Sequence, residues 1–360
     1  MKIIRYLSII LAILAIAEQA GGQTYARKIK TVSGRKIKVK ELDNLIKETM
    51  DSLKIPGLSI AIINNAEIVY HRAFGFKNIA NGEAVDNNTI FEAASLSKPV
   101  FAYFFMKMVD KGIVKLDEPL YKILPHPNIK DNDERCKLIT ARMVLSHSTG
   151  FPNWSENKPI EIKFTPGTNF LYSGEAYQYL TAYLAVINKT NWQKGLDSIF
   201  QKEVANPLGM KHSYFVGNEY FVSHKATGYE TDKPAELWQP KSFGAAHTLH
   251  SEALDYAKFL EAMIKADGLT KESYTEMLRE QNHFKEDNEL RSTGQTGWAL
   301  GFAMKPTLYG TRYLHTGNNT GFRAYCCFYR EKKYGLVLFI NSGKIAELYT
   351  KIGKYLDDEF

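Results

Sequence analysis

The sequence predicts an α/β fold of the α+β kind: one antiparallel β-sheet flanked by helices, with a helical, loop-rich lobe inserted in the middle. Three observations carry this expectation. A helix and a hairpin open the folded part of the chain, and hairpins and a helix close it. Between them the texture changes to short helices punctuated by Pro125, Pro127, Pro152, Pro159, Pro166 and Pro207. At 360 residues the chain is long enough to bury a large core.

Residues 1–22 read as an export signal. Lys2 and Arg5 precede an apolar run from Tyr6 to Ala17, and Ala15-Ile16-Ala17 or Ala20-Gly21-Gly22 offers a small-residue cleavage site. The run is short for a bilayer span, so an exported protein, periplasmic or secreted, is expected. Residues 23–40 follow as a basic arm holding Arg27, Lys28, Lys30, Arg35, Lys36, Lys38 and Lys40 without an acid. They account for the net charge of +7, and the remainder is close to neutral. Basicity confined to a tail argues against nucleic acid as a partner. A solvated arm is expected, able to touch anionic envelope polymers or lipid headgroups.

Leu42, Leu45, Ile46, Met50 and Leu53 keep helical spacing up to the Pro56-Gly57 stop. Leu58–Ile63 and Ile68–Phe74 read as strands of a hairpin turning at Asn64-Asn65. A helix opening at Ser95 runs to Gly112. Residues 41–119 and 251–360 are thus assigned to the sheet domain, and 120–250 to the inserted lobe. The lobe's clearest helices are Glu175–Ile187 and Trp192–Val204, and Ser251 is expected to cap the helix that follows it. Strands are predicted at Trp298–Met304, Thr311–His315, Arg323–Tyr329 and Leu336–Ile340. Ile345, Leu348, Tyr349, Ile352, Tyr355 and Leu356 form an amphipathic closing helix.

Three cysteines, Cys136, Cys326 and Cys327, give no disulfide framework, although a bridge from Cys136 to either of the others stays open. Cys326 and Cys327 should point to opposite faces of their strand. His247 and His250 lack metal-ligand spacing partners and read as ordinary surface or capping residues. Trp154 and Trp298 read as core residues sooner than as cleft residues. No metal or cofactor is expected.

The chemistry concentrates at Ser95-Leu96-Ser97-Lys98. The pattern S-x-x-K also occurs at Ser33–Lys36 and Ser155–Lys158, but only at Ser95 does a long apolar run follow. Residues three apart on a helix are neighbours, so a hydroxyl nucleophile and an amine base share one face. The helix start also leaves backbone N–H groups unpaired, ready for a developing oxyanion.

Leu145-Ser146-His147-Ser148-Thr149-Gly150-Phe151-Pro152, Phe170-Leu171-Tyr172-Ser173-Gly174 and His315-Thr316-Gly317 follow in order. With Ser95–Lys98 this ordered set resembles the penicillin-recognising serine hydrolases: class C β-lactamases, DD-peptidases, D-aminopeptidases and related esterases. The resemblance covers the chain from about Lys40 onward and implies a β-lactamase/transpeptidase-like fold acting on a small-molecule or peptide-like substrate. It implies that Ser95 is acylated, that Lys98 helps deprotonate it and that Tyr172 relays a proton to the leaving group. It further implies that His315, Thr316 and Gly317 line the pocket facing a substrate carboxylate. The backbone N–H groups of Ser95 and Asn318 would form the oxyanion hole. Lys98, with a pKa depressed by burial or nearby cations, and Tyr172, pulled down by nearby cations, both stay open as the working base.

Two departures matter. Gly174 stands where the tyrosine motif usually ends in asparagine, so the amide that would hold an acyl-amide group is missing, unless Glu175 or Tyr177 supplies a substitute. This moves the expectation from an efficient β-lactamase toward an esterase or a peptidase with other preferences. His315 stands where lysine is usual, so any preference for carboxylate-bearing substrates should weaken as pH rises through a histidine titration near 6.5. The remaining expectations are a true β-lactamase or DD-carboxypeptidase, and a catalytically silent envelope-binding protein of the same fold.

Overall fold

A computed structural model describes residues 27–230 and 233–358, so the expected export signal at 1–22 lies outside the described residues. A hairpin of β1 (Lys28–Lys30) and β2 (Lys36–Lys38) leads into α1 (Val39–Leu53). The strands β3 (Gly57–Asn64), β4 (Glu67–Asn78), β5 (Glu83–Ala84) and β6 (Phe91–Glu92) precede α2 (Ser97–Asp110). The lobe holds α3 (Ala141–Leu145), α4 (Gly174–Ile187), α5 (Lys194–Phe200) and α6 (Glu219–His224). Then come β7 (His250–Ser251), α7 (Ala253–Lys265), α8 (Lys271–Leu278), β8 (Asn282–His283) and β9 (Gly297–Trp298). The chain closes with β10 (Ala303–Thr307), β11 (Gly310–Asn319), β12 (Phe322–Tyr329), β13 (Tyr334–Ile340) and α9 (Ile345–Tyr355).

Nine strands form the main sheet in the order β5-β4-β3-β13-β12-β11-β10-β9-β8, every pair antiparallel. Its centre joins the two ends of the chain, because β13 pairs with β3 from Gly335↔Ile63 to Ile340↔Leu58. Both strands are buried throughout, which explains their continuous apolar sequence. Each face carries its own core. One contains α1 and α9 residues such as Leu42, Ile46, Leu348 and Ile352. The other joins α2, α7 and the lobe, so residues 120–250 share a core with α2. Alternation across β12 puts Cys326 in the second core and Cys327 in the first. All three cysteines are free, which closes the possibility of a Cys136 bridge.

Several expectations are corrected. The basic segment is no solvated arm from Lys28 onward. In the Lys-Ile-Lys strands Ile29 pairs with Ile37, and both are buried together with Val32. The hairpin is tied down by Asn64, which accepts from Lys30 N–H at 2.8 Å and donates to its carbonyl at 2.9 Å. Arg35 pairs with Asp357 at 2.9 Å. The lysines alternate outward, which explains how a core hairpin reads as a charged tail.

Trp298–Met304 is two short strands, β9 and β10, paired with each other around a reversal at Gly301. Gly301 has φ +88°, and a Cβ there would sit 2.8 Å from Ala102 Cβ and 3.2 Å from Pro99 Cα. The reversal is thereby packed against the first turns of α2. The cap of α7 is Glu252, whose carboxylate accepts from the N–H groups of Leu254 and Asp255 at 2.5 and 2.9 Å.

Candidate active site

Ser95 is the one residue between 91 and 100 that is not buried. It lies in a single 3-10 turn, Ala94–Leu96, and α2 begins two residues later than the sequence suggests, at Ser97. Ala94 sits at φ +50°, a left-handed conformation that costs an alanine on the order of 1 kcal/mol. The turn is held from both sides. Ser97 Oγ donates to Ala94 O at 2.6 Å and accepts from Leu249 N–H at 2.9 Å, while Ala93 N–H donates to Leu249 O at 2.9 Å. Strand β11 closes the other side at Gly317, where any Cβ would strike the Ala93 carbonyl oxygen and lie 3.2 Å from Ala94 Cβ.

Lys98 Nζ donates to Ser95 Oγ at 3.2 Å and to Ala246 O at 2.8 Å. Its amine lies 4.7 Å from the Tyr172 ring centre and 5.5 Å from that of Tyr177. Apolar surroundings disfavour the charged form, and burial draws the amine down to about 7. Among the described residues no carboxylate offsets this. The other two S-x-x-K matches differ: Ser33 bonds Asp357 at 2.6 Å, and Lys158 pairs with exposed Glu156 at 3.2 Å.

Tyr172 reverses one expectation. Burial pushes its phenol upward, and a hydrogen bond with Ser95 only partly opposes this, so it stays protonated at neutral pH. His147 fixes the Tyr172 segment. Its Nδ1 accepts from Ser173 N–H at 3.0 Å and its ring lies 4.2 Å from that of Tyr172. Burial first, then Lys98 and His315, keeps it neutral.

His315 also departs from expectation. It is buried, and desolvation with the nearby Lys98 draws it down to about 3, so no titration near 6.5 remains. Its Nδ1 lies 2.7 Å from Thr316 O, which fixes the proton on Nδ1 and leaves Nε2 as a bare acceptor.

A cavity of about 1500 Å³ brings Ser95, Lys98, Tyr172, His315, Thr316 and Asn318 together. Gly317 is the one expected site residue absent from the lining, since it acts by permitting the close approach of β11. Trp154, Trp298, Trp238 and His247 line the cavity as well, so the exposed Trp154 is a cleft residue and His247 is no surface histidine, while Trp298 is buried in the core as expected and borders the cavity from there. His250 is fully buried and faces Glu92.

The space above Gly174 belongs to Trp154: a Cβ there would lie 2.7 Å from its indole. Neither Glu175 nor Tyr177 replaces the missing amide. Glu175 accepts from Ser155 N–H at 3.0 Å, and Tyr177 donates to Leu145 O at 3.1 Å. Asn153 does line the cavity, and its Oδ1 accepts from Gly174 N–H at 2.9 Å, which turns its NH2 the other way. Sequence reasoning missed Asn153, because its link to Gly174 spans a loop that no periodicity reveals.

Among the described residues one group has metal-ligand proximity, His212, Glu252 and Asp255, whose candidate atoms lie within 4.8 Å of one another. It lies outside the cavity lining, and its carboxylates already cap α7 and bind Lys258 at 2.8 Å.

A broad antiparallel sheet, a lobe sharing its core, and a serine–lysine turn at the cleft between them define the serine-hydrolase class built on the β-lactamase fold. The Beta-lactamase family matches residues 42–355, and the chain belongs to that family. It is 22% identical over 337 residues to Protein flp of Staphylococcus aureus (strain NCTC 8325 / PS 47), covering 89% of this chain and 66% of that protein, just short of two thirds of its length. Esterase EstB of Burkholderia gladioli is 26% identical over 209 residues, 49% of this chain and 52% of EstB. Among solved structures, the octameric penicillin-binding protein homologue from Pyrococcus abyssi superposes with TM-score 0.74 at 24% identity, over 90% of this chain and 78% of that one. The D-alanine carboxypeptidase AmpC from Burkholderia cenocepacia gives 0.73 at 18%, over 88% and 98%. These two superpositions speak to the fold.

Proposed function

We propose that the protein is an exported serine hydrolase that cleaves an ester or amide through an acyl-enzyme on Ser95. The observation that carries this reading is the Lys98 amine, drawn down to about 7 by burial and 3.2 Å from Ser95 Oγ. Lys98 takes the hydroxyl proton as Oγ attacks the carbonyl carbon. The tetrahedral oxyanion rests on the N–H groups of Ser95 and Asn318, whose approach is set by the Gly317 contact. Tyr172, protonated and bonded to Ser95, passes a proton to the departing alkoxide or amine and is reprotonated from Lys98. Water then attacks the acyl carbon, its proton returns through the same groups, and the acid leaves with Ser95 restored.

The occupied space at Gly174 favours an ester or a peptide with an unusual acyl group over a penicillin. A catalytically silent binding protein has less support, since such a protein has no use for an amine stripped of its charge beside a serine. The test is intact-protein mass after incubation with an activated aryl ester and, separately, a penicillin, with Ser95→Ala alongside. Ester turnover or an adduct dependent on Ser95 is expected. Turnover unchanged in Ser95→Ala, or neither signal with either reagent, overturns the reading.

A further inference from the structure

The cavity is poor in positive charge. Among the described residues Lys98 is its one lysine or arginine, and burial has already removed much of that charge near neutral pH. Four carboxylates among the described residues line it: Glu92, Glu230, Glu236 and Glu289. Glu92 is offset by Lys225 at 2.6 Å and Glu230 by Arg323 at 3.0 Å, while Glu236 and Glu289 stand exposed at the rim. A ligand carboxylate entering here meets like charge and, apart from the partly ionised Lys98, finds no lysine or arginine in the described lining to offset its lost hydration.

His315 states the complementary demand. Its Nδ1–H is committed to Thr316 O, and its buried Nε2 has no partner among the described residues although the residue lines the cavity. A buried acceptor left unpaired is costly, and the group that relieves it must be a donor. Trp154 and Trp238, both partly exposed, flank His247 at ring distances of 5.4 and 5.7 Å and supply aromatic surface nearby. That surface suits an apolar body, and an ammonium no less.

Granting the acyl-transfer reading of the site, we propose that the cavity takes acyl compounds presenting a hydroxyl or an amine to His315 Nε2, and rejects those presenting a carboxylate there. The substrate class is therefore neutral or cationic, with an apolar portion against the tryptophans.

The test measures binding apart from catalysis. Ser95→Ala protein is titrated with 3-phenylpropanol, 3-phenylpropylamine and 3-phenylpropionate, followed by tryptophan fluorescence. The alcohol and the amine are expected to bind about tenfold more tightly than the carboxylate. His315→Leu should shrink that advantage to about twofold, and His315→Gln, which keeps an acceptor, should restore most of it. Carboxylate binding equal to or tighter than the other two overturns the proposal. So does an order unchanged in His315→Leu, or no saturable quenching by any of the three. Ser95-dependent turnover of a neutral aryl ester by the wild-type protein is measured separately. Its absence removes the catalytic reading while the ligand order still decides the specificity.

Discussion

Replacing Lys98 by methionine keeps most of the side chain's length and removes the amine. Burial draws the group from 10.5 to about 7. A shift of that size corresponds to about 5 kcal/mol of differential stabilisation between its two forms. Near pH 7.4 a large share of the molecules then carries the free amine, against about one in a thousand for an unshifted lysine. Because the folded pKa lies below the unfolded one, burial of Lys98 is destabilising. That cost is complete below pH 7, where both states are protonated, and fades as pH rises toward 10.5. The activity follows the neutral form. With a neutral aryl ester, kcat/KM should climb about tenfold per unit up to pH 7 and level above it. Lys98→Met should lose about 10²–10⁴ of kcat/KM while its melting temperature near neutral pH stays level or rises. A profile flat from pH 5.5 to 8.5, or a Lys98→Met protein keeping more than about a tenth of the activity, refutes the assignment of Lys98 as the base.

Four further outcomes are expected. Ser97→Ala removes the two side-chain bonds that help hold the strained Ala94 turn, leaving the Ala93–Leu249 backbone bond, and should cost about 1–3 kcal/mol in urea unfolding together with a fall in kcat; unchanged kcat would detach the turn from catalysis. Gly174→Ala should leave melting within about 1 kcal/mol, since the group it meets is the far edge of a half-exposed indole, yet change KM for aromatic acyl esters by about threefold as Trp154 is displaced. Asp358→Ala strips the fully buried Arg312 of its ion partner, along with the acceptor for Tyr329 Oη at 2.6 Å, and should cost about 3–5 kcal/mol in the same assay; a loss under about 1 kcal/mol would contradict that pairing. Thiol labelling of the native protein should be slow at Cys326 and Cys327, whose thiols burial pushes upward, Cys326 to about 12, and complete once the chain is unfolded.

Much of this architecture is legible in the chain because periodicity reports burial on one face. The spacing from Leu42 to Leu53, the strand Leu58–Ile63 and the closing helix from Ile345 all lie within their observed elements or one residue beyond. Charge misled at Lys28–Lys40, where outward lysines hide four buried aliphatic side chains. Apolar continuity misled at Trp298–Met304, since Gly301 breaks the strand to meet α2. Within the site, Ser95, Lys98, Tyr172 and His315 can be read from ordered motifs. Asn153, Trp154, Trp238 and His247 cannot, because loops bring them to the cavity and loops leave no periodic trace. The ionisation of Tyr172 and His315 was equally hidden: pKa depends on what surrounds a group in space, and neighbours in sequence say little about that.

The junction of β3 with β13 has a consequence for how the molecule comes into being. A nascent chain that has not yet released residues 334–340 holds β3 with one edge bare and a half-built core on either face. The hairpin at the start likewise waits for the end, since Val32 N–H donates to Leu356 O at 3.0 Å and Thr31 and Arg35 meet Asp357. Completing the sheet therefore waits on contacts between distant parts of the chain, which slows folding. Removing residues 356–358 would therefore cost more structure than a much longer insertion in a surface loop, since they hold Val32, Arg35 and Arg312.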